Sequence, residues 1–285
     1  MKTVIIGANG QLGRDLLAVL EGEVVPFSRA AADLTDHAAV REKLTALAPQ
    51  TVVNCAAYNL VDKAESAPED AVAVNTWAAR NLATICRDIG ARFVHFSTDY
   101  VFGFDAGRDR PYTEDDIPGP VSNYGLSKLA GEYAVRAILP EALVIRTCGL
   151  YGRHGVGGKG GNFVETMKRL GRERGAVRVV NDQRCTPTST ADLAAATMNL
   201  LRAQAAGIVH ATNGGGCTWF EFAAAIFRLL GMAVEVTPIT SAEFNAPARR
   251  PAFSVLASER YAAVTSQQLP SWEKALARYL SPPKS

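Results

Sequence analysis

The chain has 285 residues, 48% of them hydrophobic, and its 30 basic and 28 acidic side chains leave a formal net charge of +2. This balance, without a basic stripe of interleaved aromatics, argues against nucleic acid as the main partner. No apolar run reaches the roughly 18 residues that a membrane-spanning helix needs, and no signal-peptide pattern precedes the first predicted strand. We therefore expect a cytoplasmic protein with no membrane partner, folded as one large domain or as a large domain plus a small one.

The five cysteines are isolated and odd in number, and the four histidines show no ligand spacing. This pattern is typical of reduced cysteines and satisfied structural histidines. We therefore predict neither a disulfide framework nor a metal site.

The first 20 residues place a strand, a glycine turn and a helix in the order that a dinucleotide-binding fingerprint requires. An apolar run at residues 2–6 is followed by glycines spaced G-x-x-G-x-x-G and then by an amphipathic segment. Glycines let the backbone approach a pyrophosphate, whose charge is favoured at a helix N-terminus. The predicted cofactor contacts here are Gly7, Asn9, Gly10, Gln11, Leu12 and Gly13. A plain strand-to-helix turn is the alternative.

The second predicted strand, residues 24–27, ends at Ser28 and Arg29. An NAD enzyme usually places an acidic residue there to hold the ribose 2′-hydroxyl. A hydroxyl and a guanidinium suit a 2′-phosphate instead, which favours NADP and leaves NAD possible; a solvated surface arginine is the alternative. Asp33 and Leu34 are predicted to lie beside the adenine, although Asp33 or Asp36 could equally cap the next helix.

Two further apolar strands are predicted at residues 51–55 and 92–97. The first leads into Ala56, Ala57 and Tyr58, where small residues let the turn lie against a cofactor. The second delivers Thr98, Asp99 and Tyr100 at its carboxyl end, where open parallel sheets bind ligands. Asn75, within a long helical pattern over residues 62–90, is predicted to contact the cofactor as well.

Tyr124 and Lys128 stand four residues apart, so in a helix they share a face. A nearby ammonium favours phenolate over phenol and is expected to lower the pKa of the tyrosine toward working pH. Such a phenol can donate a proton to a carbonyl, which the Thr98 hydroxyl could also bind. The spacing alone is a weak signal. With the glycine turn upstream, it predicts Thr98, Tyr124 and Lys128 as a carbonyl-reducing set, the last two also contacting the cofactor.

Strands and helices alternate up to about residue 150, which predicts an α/β fold with a Rossmann-like, doubly wound parallel sheet. The segment 103–120 is expected to be a surface loop too polar for the core, and 149–161 a mobile glycine-rich loop. We predict a dinucleotide-binding domain of residues 1–150 and 188–212. Residues 151–187 and 213–285 are predicted to form a smaller, discontinuous α/β substrate-binding domain, with two helices near 218–230 and 270–280 and an extended stretch between them.

Motifs along nearly the whole chain resemble the dTDP-4-dehydrorhamnose reductases, a branch of the extended short-chain dehydrogenases. They read GANGQLG, NCAAYNLVDKAE, STDYVF, PYTED, YGLSKLAGE, RTCGLYG, GNFV, DQRCTP, TWFEF and RPAFSVL. The resemblance implies NAD(P)H-dependent reduction of the 4-keto group of a dTDP-4-keto-6-deoxy sugar, giving dTDP-L-rhamnose. It implies Thr98, Tyr124 and Lys128 as catalytic residues and Asp99, Tyr100, Asn162 and Arg250 as substrate contacts. Asn162 could instead cap its helix, and Arg250 could form a surface salt bridge.

Three departures from the family pattern bear on the substrate. Gly149 stands where members commonly have a tryptophan, the turn after Phe102 is longer than usual, and Arg184-Cys185 replaces smaller residues. A nucleotide-sugar epimerase or dehydratase on the same scaffold is the second enzyme hypothesis. A non-catalytic regulatory subunit on this fold is the third, and a homodimer is possible in each case.

Overall fold

The computed structural model of the chain describes residues 1–28, 31, 33–154 and 161–281. The strands are β1 (Lys2–Ile6), β2 (Glu23–Phe27), β3 (Thr51–Asn54), β4 (Arg92–Thr98), β5 (Leu143–Thr147), β6 (Leu150–Tyr151), β7 (Ala176–Val180), β8 (Arg184–Cys185), β9 (Thr188–Ser189), β10 (Gly207–His210), β11 (Cys217–Thr218) and β12 (Glu235–Ile239). The helices are α1 (Gln11–Val19), α2 (His37–Leu47), α3 (Pro68–Val72), α4 (Ala79–Ile89), α5 (Asn123–Ile138), α6 (Phe163–Arg174), α7 (Thr190–Arg202), α8 (Trp219–Leu230), α9 (Ser241–Phe244), α10 (Glu259–Thr265) and α11 (Trp272–Leu280).

The central sheet has six strands in the order β10-β5-β4-β3-β1-β2, and every neighbouring pair is parallel. The chain leaves β1 for β2 on one side and then crosses to β3 on the other. The strand order therefore reverses between β1 and β3, which is where open sheets of this kind bind ligands. The predicted doubly wound parallel sheet is confirmed.

Helices cover both faces of this sheet, which explains why its strands are buried on both sides. Val40 of α2, Leu82 of α4 and Val135 of α5 pack into one core. Leu16 of α1 and Leu193 of α7 pack into the other, together with Tyr261 of α10. The helical pattern over residues 62–90 forms a 3₁₀ turn at Lys63–Glu65, then α3, a π-helical segment at Ala73–Ala78 and α4.

A third core lies outside the sheet, among α6, α8 and α11, with Phe222, Ile226 and Leu276 fully buried in it. Three short strand pairs surround it, β7 with β12, β8 with β11, and β6 with β9. This arrangement suits a smaller α/β unit. The predicted domain boundaries stay a prediction, and α10 packs against α7 and β10 of the larger part.

Two expectations from the sequence are corrected. The stretch between α8 and α11 is not simply extended, since it contains β12 and the helices α9 and α10, of four and seven residues. The segment 103–120 is not wholly surface, because Tyr112 is 3% exposed and stacks on Phe102 at 4.1 Å between ring centroids. Residues 155–160 of the predicted mobile loop lie outside the described residues. Within the described part of the chain, no helix is long and apolar enough to cross a membrane.

Candidate active site

The turn between β1 and α1 is packed too closely for side chains at two of its glycines. Gly7 has φ 77°, and a Cβ built on it would lie 2.8 Å from the Ala56 nitrogen. A Cβ on Gly13 would lie 2.5 Å from the Gly7 oxygen. Gly10 caps α1 without a side-chain acceptor for the first-turn N–H groups. Bare N–H groups at the end of a tight glycine turn are what a dinucleotide pyrophosphate requires, so the turn fits NADP.

Two adjoining cavities run from this turn along the carboxyl edge of the sheet and share Gly7 and Ala57. The first, of about 550 Å³, is lined by the turn residues Gly10, Gln11, Leu12 and Gly13 and by Thr98, Asp99, Tyr100, Tyr124 and Lys128. The second, of about 470 Å³, is lined by Ser28, Asp33, Leu34, Ala56 and Tyr58 among others. Most of the predicted cofactor residues thus line one or the other of these neighbouring cavities, which we call the cofactor groove. Asn9 is exposed and lines neither cavity, and Arg29 lies outside the described residues.

The alternatives for Asp33 and Asp36 separate in the structure. Asp36 caps α2 by accepting a hydrogen bond from the Ala39 nitrogen at 3.0 Å. Asp33 accepts from the backbone nitrogen and the hydroxyl of Thr35 at 2.9 and 2.7 Å. The cap of α2 is therefore Asp36, not Asp33. Asp33 lines the second cavity, and its contact with an adenine stays a prediction.

Asn75 lies beneath the groove, 1% exposed, with both ends of its amide bonded to protein. Its oxygen accepts from the Tyr58 nitrogen at 2.9 Å, and its nitrogen donates to the Tyr58 oxygen at 2.9 Å and to the Ser127 hydroxyl at 3.0 Å. It fixes the Tyr58 turn to α5, so any effect on a cofactor would pass through that turn.

Helix α5 presents Tyr124 and Lys128 to the first cavity, as their spacing predicts. Lys128 is 2% exposed and donates from Nζ to the Phe96 oxygen at 2.6 Å. Glu65 holds the start of the helix by accepting from the backbone and side-chain nitrogens of Asn123, at 2.9 and 3.0 Å. No role for Glu65 follows from the sequence patterns, although this residue ends the NCAAYNLVDKAE motif, which was the available signal.

The expected lowering of the Tyr124 pKa by Lys128 is not found. Burial instead raises the pKa of Tyr124, because a phenolate in a poorly solvated site is disfavoured, and the Asp99 charge adds to the rise. Burial also lowers the pKa of Lys128 to about 8, with Glu132 opposing the shift. Sequence spacing showed the proximity of the two groups but not their loss of solvent. The phenol consequently keeps its proton at neutral pH, the form that a proton donor needs.

Asp99 and Tyr100 both line the first cavity, but they are placed differently. Tyr100 packs edge-on against Tyr124, with ring centroids 5.7 Å apart. The Asp99 side chain is 1% exposed and is bonded to Ser254, Cys148 and Thr98. Burial raises the pKa of Asp99, and those hydrogen bonds oppose the rise. Its carboxyl is thus engaged with protein, and a direct contact with a substrate stays a prediction.

The other two predicted substrate contacts have protein partners that match their alternatives. Asn162 caps α6 by accepting from the Glu165 nitrogen at 3.1 Å, and it donates to Gln11 Oε1 at 2.9 Å. Arg250 forms a salt bridge of 3.0 Å with Asp62. Contact of either residue with a substrate stays a prediction.

An aromatic pair stands beside Gly149, where the family commonly has a tryptophan. Gly149 has φ 51°, and a Cβ there would lie 3.2 Å from Trp219 Cη2. Trp219 and Phe163, with ring centroids 4.7 Å apart, both line the first cavity. These two rings, from the first residues of α8 and α6, supply aromatic surface to the cavity that Thr98, Tyr124 and Lys128 also line.

Comparison with known proteins agrees with this geometry. The family model of the RmlD substrate binding domain matches residues 1–284. A dTDP-4-dehydrorhamnose reductase of Streptomyces griseus is 44% identical over 96% of this chain and 91% of its own. A dTDP-4-keto-6-deoxy-D-glucose reductase of Streptomyces niveus is 41% identical over 96% and 94%. The solved dTDP-4-dehydrorhamnose reductase of Bacillus anthracis in complex with NADP superposes with a TM-score of 0.92, 39% identity and 98% coverage of both chains. The chain belongs to the dTDP-4-dehydrorhamnose reductase family.

Proposed function

We propose that this protein is an NADP-dependent oxidoreductase that reduces the 4-keto group of a dTDP-4-keto-6-deoxy sugar, converting dTDP-4-dehydrorhamnose to dTDP-L-rhamnose. One observation carries the proposal. Thr98, Tyr124 and Lys128 line one cavity with the glycine turn, so a ketone and a nicotinamide can meet there. The names of the relatives support the substrate class, and the NADP in the Bacillus anthracis structure supports the cofactor.

Each residue has a defined part in this reaction. NADPH, when bound, supplies the hydride that the ketone carbon accepts. The α1 N-terminus and its glycines hold the pyrophosphate, and Ser28 and Leu34 border the adenosine end. Tyr124 donates its proton to the carbonyl oxygen as a general acid. Thr98 aligns that phenol. Lys128 places a positive charge in the lining of the first cavity, where the nicotinamide ribose would bind.

The test is an assay of NADPH oxidation with a panel of 4-keto-6-deoxy nucleotide sugars. The dTDP-linked sugar is expected to be reduced, and Tyr124→Phe should lower kcat by about 10²-fold, the usual contribution of a general acid. Tyr133→Phe is the matched control, since Tyr133 lies on the same helix with 56% of its surface exposed. It should keep the wild-type kcat.

Three results would contradict the proposal in different ways. No NADPH consumption with any ketone would favour the regulatory subunit. Interconversion of sugars on tightly retained NAD, without net oxidation of NADPH, would favour the epimerase or dehydratase. A Tyr124→Phe enzyme as active as the wild type would show that Tyr124 is not the proton donor.

A cytoplasmic location and a homodimer, both expected from the sequence, stay predictions. Cell fractionation tests the first, and light scattering of the purified protein tests the second.

A further inference from the structure

Asp99 accepts hydrogen bonds from its neighbour Thr98 and from two distant parts of the chain. Its Oδ1 accepts from the Thr98 hydroxyl at 3.1 Å. Its Oδ2 accepts from the Ser254 hydroxyl at 2.6 Å and from the Cys148 thiol at 3.1 Å. Ser254 is 2% exposed and belongs to the segment before α10, whereas Cys148 follows β5. No Arg or Lys forms a salt bridge with Asp99 in the described part of the chain, so these donors hold its carboxyl.

The hydrogen bonds of Thr98 determine what its hydroxyl can do in the cavity. A hydroxyl has one proton and two lone pairs. The proton is donated to Asp99, and one lone pair accepts from the Tyr100 nitrogen at 3.2 Å. One lone pair is left for the cavity that Thr98 lines together with Tyr124. In this arrangement the Thr98 oxygen accepts from the Tyr124 phenol before substrate binds, and the phenol turns that one proton to the carbonyl oxygen when the ketone occupies the cavity.

We propose that Asp99 and Ser254 are positioning residues of the reduction: Ser254 fixes the Asp99 carboxyl, which fixes the Thr98 hydroxyl as an acceptor for Tyr124. The role rests on the proposed function, because it concerns the residue that protonates the ketone. It differs from a substrate contact, since Asp99 acts on the proton donor through the Thr98 hydroxyl, besides the effect of its charge on the pKa of Tyr124. It also connects the segment before α10, which carries Ser254, to the carboxyl end of β4.

The proposal predicts how losses combine. Ser254→Ala removes the donor to Asp99 and should lower kcat by about tenfold, as a small misplacement of a group at the reacting centre does. The NADPH KM should stay within about twofold, because Ser254 does not line the cofactor groove. In a Thr98→Val background the same substitution should cost nothing further, since the residue through which it acts is gone. Ser254→Thr keeps the hydroxyl and should restore most of kcat.

Two further variants separate positioning from folding. Thr212→Val removes a fully buried hydroxyl that has no hydrogen-bond partner among the residues the structure describes, and it should leave kcat unchanged. If Ser254→Ala does not fold, the pair Asp99→Asn and Asp99→Leu replaces it. Asp99→Asn should keep most of kcat, because the amide oxygen can still accept from Thr98. Asp99→Leu should lower kcat by about tenfold or more.

An infrared spectrum gives a reading that needs no substrate. The S–H stretch of Cys148, identified by its absence in Cys148→Ala, should lie at the frequency of a hydrogen-bonded thiol. It should move toward that of a free thiol in Asp99→Leu. A Cys148 band that does not respond to Asp99→Leu would overturn the network itself.

The kinetic outcomes distinguish this inference from the proposed function. A wild-type protein that consumes no NADPH with any ketone contradicts the proposed function and this role together. If the wild type is active but Ser254→Ala lowers kcat by the same factor in the wild-type and the Thr98→Val backgrounds, only the positioning role is contradicted. If Ser254→Ala lowers kcat only when Thr98 is present, and Ser254→Thr restores kcat, the positioning role is supported.

Discussion

Gly125 is the point at which the helix that carries Tyr124 and Lys128 touches the segment that carries Tyr100. A Cβ built on Gly125 would lie 2.3 Å from the Tyr100 oxygen, against about 3.4 Å for an ordinary contact. Gly125→Ala must therefore push α5 away by about 1 Å, and a displacement of that size at a reacting centre costs about 10²-fold in rate. We expect kcat to fall by about 10- to 100-fold.

The same substitution has a smaller effect on folding. Overpacking costs about 1–3 kcal/mol, while alanine in place of glycine in a helix returns about 1 kcal/mol. The free energy of unfolding should thus fall by roughly 0–2 kcal/mol. Urea denaturation followed by circular dichroism measures this change, and the loss of NADPH absorbance measures kcat.

Gly171→Ala is the control for a clash without displacement of α5. Gly171 lies in α6, away from the cavity, and a Cβ there would lie 2.5 Å from Phe227 Cε1. It should destabilise the fold and leave kcat within about twofold of wild type. A Gly125→Ala enzyme with wild-type kcat, or an equal loss in Gly171→Ala, would refute the reasoning.

Three further predictions concern the cofactor turn, the helix anchor and Lys128. Gly13→Ala should raise the NADPH KM by about tenfold, because its Cβ would lie 2.5 Å from the Gly7 oxygen. An NADPH titration measures this KM, and Gly107→Ala is the control, since among the described residues its Cβ would meet no atom closer than 3.8 Å. Glu65→Gln should lower kcat by about threefold and reduce Tm, since one amide oxygen cannot replace two carboxylate oxygens at Asn123; unchanged melting would contradict the anchor. For Lys128, kcat should fall as pH rises through about 8, where the buried ammonium loses its proton. Its folded pKa lies below the ordinary 10.5, so burial of the ammonium destabilises the fold at pH below about 8, and this cost is relieved as pH rises from about 8 to 10.5. The fold should therefore not weaken where kcat falls, and a loss of kcat that tracks unfolding would contradict the assignment.

Local sequence patterns were sufficient for the sheet and the cofactor turn. The β-branched runs, the glycine spacing and the leucines of α1 are signals contained within short windows, and the structure forms them where they were expected. The spacing of Tyr124 and Lys128 likewise placed both side chains at one cavity. The short helices α9 and α10 were missed because four and seven residues give too little periodicity to detect.

The surroundings of the site could not be read from the sequence in the same way. Ser254 is 155 residues from Asp99 and Cys148 is 49 residues from it, and only the tertiary fold brings them together. The direction of the Tyr124 pKa shift was also wrong, because spacing shows a neighbouring cation but not the burial that outweighs it. The resemblance to a family supplied the substrate class, which no single motif carries.

The central claim is that the nicotinamide and Tyr124 together reduce the ketone at carbon 4 of the sugar. The most direct measurement uses NADPH deuterated at the transferable position of its nicotinamide, with the nucleotide-sugar product examined by proton NMR. We expect deuterium at carbon 4 of the sugar with the wild-type enzyme, and about 10²-fold slower labelling with Tyr124→Phe. Product without deuterium at that carbon, or equally fast labelling by the two enzymes, would contradict it.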